Sequence, residues 1–293
     1  PFIRSLMDNV KSEQFEVLQK RSSNAIIQLI IKLIANKKEN VANKIVKNLC
    51  AFLCVDSIAV PEFNENSSFK DQILTTIIVE RNNSISDDAK LKEVSEKAKI
   101  KTRGALFTLQ ILLSDFGKDS FVKVPQLKSI IFDPLQKYDQ LSTDHNTETM
   151  SAQLGSNIVD SLGVLRIIFP FIHKELQEKE LVSKVLPTLV ALLVNEYSVL
   201  RFSSALTFAI LAKELPVLVL PFILKNVLPF VNNAGSTKER QGGVELIHHL
   251  AEQMDSDILP YVVFFIVPLL GRMSDSDTDV RDIATKTFAS IIK

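Results

Sequence analysis

Three small constellations in this chain carry residue types that can do chemistry. Cys50 and Cys54 lie four residues apart, which on a helix stacks two thiols one turn from each other and supplies half of a soft-metal site. No histidine or further cysteine lies within thirty residues of them. An apolar setting makes both core residues instead. His248 and His249 are adjacent, so on a helix they point about 100° apart and do not share a metal face. Surface or groove positions are expected for both. Asp275-Ser276-Asp277-Thr278-Asp279 opens like a calcium loop. The sixth position is Val280 where such a loop needs glycine, and the twelfth is Lys286 where it needs a bidentate glutamate. These aspartates are therefore turn and cap residues.

The motifs of phosphate-cradling loops, nucleophile elbows, zinc-protease helices and dinucleotide folds are all absent. What remains are cations. Arg201, Arg240 and Arg281 stand 39 and 41 residues apart, each near the start of an apolar-periodic segment. They could form a phosphate-binding ladder; the expected role is pairing with an acidic turn residue of the same or the neighbouring segment. Lys20, Arg21, Lys37, Lys38, Lys44 and Lys47 make the densest basic zone, which suits a solvated face. From these cations Lys20, Arg21, Lys44, Lys47 and Arg240, together with Arg272, are the candidates for binding a partner.

The elements that position these residues follow from a repeat. Leu200-Arg201-Phe202-Ser203-Ser204-Ala205, Arg240-Gln241-Gly242-Gly243-Val244 and Val280-Arg281-Asp282-Ile283-Ala284 are copies of one another. Ser204, Gly243 and Ala284 are all small at the third residue after the arginine, which lets helices cross closely. Each copy follows an apolar stretch with an internal proline, at Pro187, Pro229 and Pro268. In the last copy Val280, Ile283, Ala284, Phe288, Ile291 and Ile292 line one stripe at helical spacing, and Asp277 or Thr278 can cap that helix. A period of about 40 to 47 residues with two helices per unit is the mark of a HEAT or armadillo array. The expected fold is thus an all-α solenoid of antiparallel helix pairs spanning residues 1–293.

Weaker copies are expected to open at Lys20-Arg21 and at Lys101, with a further unit over 157–169. Polar, loop-rich insertions are expected at about 56–100 and 141–156, with a short helix near 71–80 inside the first. Lysine and arginine total 34 against 34 acidic residues, so no global charge draws the chain to nucleic acid or to an anionic membrane. No apolar run reaches the 18 or so residues of a membrane span; the longest, 258–270, carries two prolines and is expected to be a buried helix. The two cysteines suit an intracellular chain. A start at Pro1 and a stop within a helical pattern suggest a piece of a longer protein.

Several strings carry a family resemblance. Pro268-Leu269-Leu270-Gly271-Arg272-Met273-Ser274-Asp275, Lys44-Ile45-Val46-Lys47-Asn48-Leu49-Cys50, Pro1-Phe2-Ile3-Arg4-Ser5-Leu6-Met7 and Glu245-Leu246-Ile247-His248-His249-Leu250 resemble the HEAT region of the Swi/Snf-family ATPases that remove TATA-binding protein (TBP) from DNA, fungal members above all. The resemblance implies a nuclear transcription regulator whose solenoid grips TBP and whose separate motor uses ATP and magnesium to translocate on DNA. It implies no catalytic residue, cofactor or metal in this chain, and no membrane partner. The TBP grip is expected mainly before Pro1 and the motor soon after Ile292, so the chain would link the two and contact its own ATPase domain. An importin- or adaptor-type binding solenoid has the same periodicity and is the alternative. A circular dichroism spectrum with at least three fifths helix is the expected outcome; substantial strand would overturn this fold.

Overall fold

The computed structural model describes residues 2–54, 88–143, 150–172 and 180–292. It is 89% helical, and no strand occurs among the described residues. Two compact units divide the chain. The first takes in the described residues 2–54, 88–143 and 163–172, the second 150–162 and 180–292. The division falls inside one helix, Ala152–Ile172.

In the first unit, α1 (Phe2–Ser12), α2 (Glu16–Ala35), α3 (Glu39–Cys54), α4 (Asp88–Phe116) and α5 (Pro125–Thr143) pack around Ile26, Ile30, Val46, Leu49, Leu109 and Leu127, all fully enclosed. The insertion expected at 56–100 is helical from Asp88 onward, so Lys101 lies well inside α4 instead of opening it. This polar stretch lacks proline and glycine and carries helical ion pairs, Glu93 with Lys97 at 2.6 Å and Glu96 with Lys99 at 3.4 Å. Such pairs support a helix whose polarity resembles a loop's. Residues 55–87, with the short helix expected near 71–80, lie outside the described residues. Of the insertion expected at 141–156, residues 141–143 finish α5 and 152–156 begin α6 (Ala152–Ile172); 144–149 lie outside the described residues.

A polar knot ties α1, α2 and α4. Gln19, fully buried, donates to the carbonyls of Val10 and Ile100, each at 2.8 Å, and its own oxygen accepts from Arg103 Nε at 2.7 Å. Arg103 Nη2 donates to the carbonyls of Glu13 (3.3 Å) and Gln14 (2.9 Å), which belong to the turn between α1 and α2. Gly104 is required here: a Cβ would sit 1.9 Å from the Val10 carbonyl oxygen.

In the second unit, α7 (Leu186–Leu193) pairs with α8 (Ser198–Glu214). Next, α9 (Pro216–Asn226) and α10 (Leu228–Asn232) lead to α11 (Thr237–Met254), and α12 (Val262–Arg272) pairs with α13 (Thr278–Ile291). The three arginine-bearing helices α8, α11 and α13 pack in that order. The small residues sit at the close approaches. Ser204 Oγ donates to the Leu189 carbonyl at 2.7 Å, a Cβ on Gly242 would meet the Leu193 carbonyl oxygen at 2.0 Å, and one on Gly243 would meet Val231 Cγ2 at 2.7 Å. Asp277 caps α13, accepting from Val280 N at 3.0 Å.

Two details of the repeat differ from the sequence pattern. Pro187 and Pro229 are exposed with Leu189 and Val231 buried behind them, whereas Pro268 is buried. Burial of Phe265 and Leu269 makes Val267, not Pro268, the counterpart of Pro229, so the proline alignment slips by one residue in the last pair. The run 258–270 is also not wholly buried. Leu259, Val263, Phe264, Val267 and Leu270 face outward, because α12 packs on one side only. Stretches 153–172 and 237–272 are long and apolar enough to cross a membrane by length and composition. The second is not one helix: Asp255 at φ 47° and a 3-10 turn over 255–261 break it, leaving α12 with 11 residues.

Phe208 is fully enclosed while its counterpart Phe288 is half-buried. Phe208→Ala should lower stability by about 3–5 kcal/mol and Phe288→Ala by less. Gly242→Ala, which forces backbone apart, should cost about 1–3 kcal/mol or more. Urea unfolding of the three variants checks this order; an unchanged midpoint for Phe208→Ala would refute the helix pairing.

Candidate functional site

The repeat arginines do one job three times. Arg201 Nη1 donates to the carbonyls of Asn195 (2.8 Å) and Glu196 (2.9 Å). Arg240 Nη1 reaches Asn233 and Ala234, both at 3.0 Å, and Arg281 Nη1 reaches Asp275 and, at 3.0 Å, Ser276. In each case the acceptors belong to the turn that precedes the arginine's own helix. These carbonyls leave one helix and have no partner within the next, so a guanidinium fork from the helix start satisfies two of them together.

The remaining donors link neighbouring pairs. Arg201 Nη2 donates to Gln241 Oε1 on α11 at 3.0 Å. Arg240 makes a two-pronged contact with Asp275, Nε to Oδ2 at 2.9 Å and Nη2 to Oδ1 at 3.1 Å, across the packing of α11 on the α12–α13 turn. Arg272 Nη1 adds a third bond to Asp275 Oδ2 at 2.8 Å, and the Asp277 N–H a fourth to Oδ1 at 2.9 Å. Burial raises the Asp275 carboxyl, but the Asp277 N–H, Arg240 and Arg272 together outweigh it and hold the group below its ordinary value. Lys238 spans the same step at the surface, 2.8 Å from Glu196.

This geometry decides between the two readings of the arginines. Each arginine binds the carbonyls of its own turn, and of the three Arg240 pairs with an acidic turn side chain, Asp275, while Arg201 reaches Gln241 and Arg281 reaches Thr278. Arg240, at 4% exposure, is not on a binding surface, and Arg272 is half-buried against Asp275. Burial against Asp275 corrects Arg240 as a candidate for binding a partner, while Arg272 shares that buried anion and keeps part of its side chain exposed. Asp275 and Asp277 are the turn and cap residues expected.

The other candidates stay at the surface of the first unit. Lys20 pairs with Glu16 at 2.6 Å and lies 4.6 Å from the Phe107 ring, while Arg21, Lys44 and Lys47 are exposed. Cys50 is buried, and burial pushes its thiol up to about 12, which leaves it a neutral packing group; the Cys54 side chain lies outside the described residues.

The histidines are not at the surface. His249 is buried with its ring 5.0 Å from Phe202 and Nδ1 3.2 Å from Glu252. His248 is half-buried, Nδ1 3.1 Å from Thr287 on α13, and burial lowers its pKa against the pull of Glu252. The physical reason is that α11 is flanked by α8, α10 and α13, so few of its positions remain outside. Sequence reasoning missed Gln19, Gln241 and Glu245, polar residues enclosed on apolar faces; the one signal available for Gln241 was its place directly after a repeat arginine.

Paired helices joined by such turns define an all-α protein whose polar centre is architectural. Comparison with known proteins takes the assignment further. The family described as "Domain of unknown function (DUF3535)" matches residues 1–130. The chain is 48% identical over its full length to the TATA-binding protein-associated factor MOT1 of Saccharomyces cerevisiae, and 34% identical over 99% of its length to that of Schizosaccharomyces pombe. It is 26% identical over its full length to the human TATA-binding protein-associated factor 172. It spans 15%, 16% and 18% of the lengths of these relatives, respectively. The chain belongs to this family of TATA-binding protein-associated factors.

Removing one partner of a buried ion pair strands the other. Asp275→Asn should therefore lower stability by about 3–5 kcal/mol at neutral pH. Because the carboxyl is held low in the folded chain, its contribution is present above the ordinary aspartate value of about 3.9 and fades as pH falls through the folded value. Melting temperatures from pH 7 down to pH 3 should show the parent and Asp275→Asn converging; a constant gap would refute the charge network.

Proposed function

We propose that this chain is a non-catalytic HEAT-repeat scaffold within a TBP-regulating, Swi/Snf-type ATPase of the nucleus. It links the repeats that grip TBP to the DNA-translocating motor. The observation that carries the reading is the repeated arginine clamp. Each clamp fixes its own turn, and those of Arg201 and Arg240 also hold the next helix pair. An array with neighbour-only coupling deforms as an elastic body and transmits load along its length without chemistry in between. The spacing of about forty residues between clamps agrees with a HEAT period.

The family membership supports TBP as the partner, since the relatives are named for association with it. ATP, magnesium and DNA belong, in this reading, to the motor. The importin-type alternative shares the helix pairs but finds no support in the names of the relatives. Because Asp275 engages the Arg272 side chain, exposed Ser274 and Ser276 of the same turn are, in this reading, the better candidates for contact with the motor.

A chimera tests this. In the Saccharomyces cerevisiae relative, the 298 aligned residues are replaced by this chain or deleted. Replacement should preserve TBP association and ATP-driven release of TBP from DNA. Deletion should leave ATP hydrolysis and abolish release. Normal release in the deleted protein would overturn the scaffold reading.

A further inference from the structure

Helix α11 makes two seams of opposite chemistry. Toward α13 its polar groups are matched: Arg240 with Asp275, Gln241 Nε2 with Asp277 Oδ1 at 3.5 Å, and His248 with Thr287 at 3.1 Å. Toward α8 lies Glu245, at 0% exposure, and neither of its carboxyl oxygens has a hydrogen-bond partner. It sits one helical turn after Gln241, which already accepts from Arg201. Arg201 is the nearby charge, yet its Nη groups are occupied by the Asn195 and Glu196 carbonyls and by Gln241.

The polar groups around Glu245 make their hydrogen bonds to other residues. On α11 itself the neighbours one turn away are Gln241 and His249, and His249 Nδ1 is 3.2 Å from Glu252. Helices α7 and α10 approach α11 through Leu193 and Val231 at the glycine pair. The Asp277 and Thr287 side chains, which come from the α13 side, are engaged with Gln241 and His248. Burial drives the carboxyl well above its ordinary range, with Arg201 opposing. An ionised carboxylate without hydrogen bonds in such a place is expensive, so the closed seam holds the neutral acid.

We propose that the α8–α11 seam is a proton-latched joint: it is closed while Glu245 keeps its proton and opens to water as that proton passes to solvent, while the α11–α13 seam stays shut on the Arg240–Asp275 pair and its hydrogen bonds. The sign follows from linkage. The closed-state value lies above that of an exposed glutamate, about 4.3, so the latch is fully present below that pH and is lost as pH rises through the closed-state value. In between, each pH unit favours opening by up to about tenfold. His248, held low by burial, acts in the opposite sense below its ordinary value of about 6.5, so the clean window begins there.

This joint does not depend on TBP, so its test is separate from that of the scaffold reading. Hydrogen exchange of the whole chain and of a His248→Asn variant, corrected for intrinsic rates, is followed by mass spectrometry from pH 5 to 9. Protection of α8 and α11 amides should fall with pH by up to about tenfold per unit, beyond any change in α13. Glu245→Gln, which cannot ionise, should raise α8 and α11 protection at pH 8 and flatten the profile. A parent profile no steeper in α8 and α11 than in α13 overturns the proposal whatever the variant does, and so does the parent's slope surviving in Glu245→Gln.

Discussion

Where a helix ends and the chain turns back, carbonyl groups are left over, and in a packed array those turns sit against protein where water cannot reach them all. One guanidinium per turn meets this need at three turns of the second unit, buried at Arg201 and Arg240 and half-buried at Arg281. Arg201, Arg240 and Arg281 each place one nitrogen between two successive carbonyls of the preceding turn. A lysine would not do the same, because its ammonium lacks the planar fork that serves a turn and a neighbour together. The position of the arginine at the start of its helix, and the small residues that follow it, are consequences of that bond pattern.

The clamp also sets the coupling between pairs. Once an arginine is fixed by its turn, its other donors point at the next helix, where Gln241 and Asp275 receive them. Asp275 then serves as anchor for Arg240 and Arg272 while its own carbonyl accepts from Arg281. In the first unit the same need is met with different parts: Arg103 comes from α4, not from the helix following the turn, and Gln19 completes the knot. These polar groups hold helices in register, while the cations of α2 and α3 and the apolar outward face of α12 are exposed.

Membership of the TATA-binding protein-associated factors fits a chain of this construction. Among the described residues, Arg201, Arg240, Arg103 and Gln19 hold turns or join helices, whereas neither carboxyl oxygen of the enclosed Glu245 has a hydrogen-bond partner. The contrast between a matched seam and an unmatched one is written into two faces of a single helix, α11.

The sequence by itself determined the helical class, the arginine-centred copies, the small residues at the crossings and the cap at Asp277, because each is a local requirement of helix and turn that recurs at every copy. It also carried the family, through strings in order along the chain. It read about 56–100 as loop-rich, and the part from Asp88 onward is helix, because a polar helix held by ion pairs has the composition of a loop. It aligned Pro268 with Pro229, although burial places Val267 there. Only the tertiary structure decided which cations are spent: Arg240 and Lys47 are both basic residues on helices, but one faces Asp275 and the other faces water. The histidine pair and Glu245 were likewise settled by packing, since whether a position on α11 is inside depends on the helices that flank it, and those are brought there by residues forty positions away.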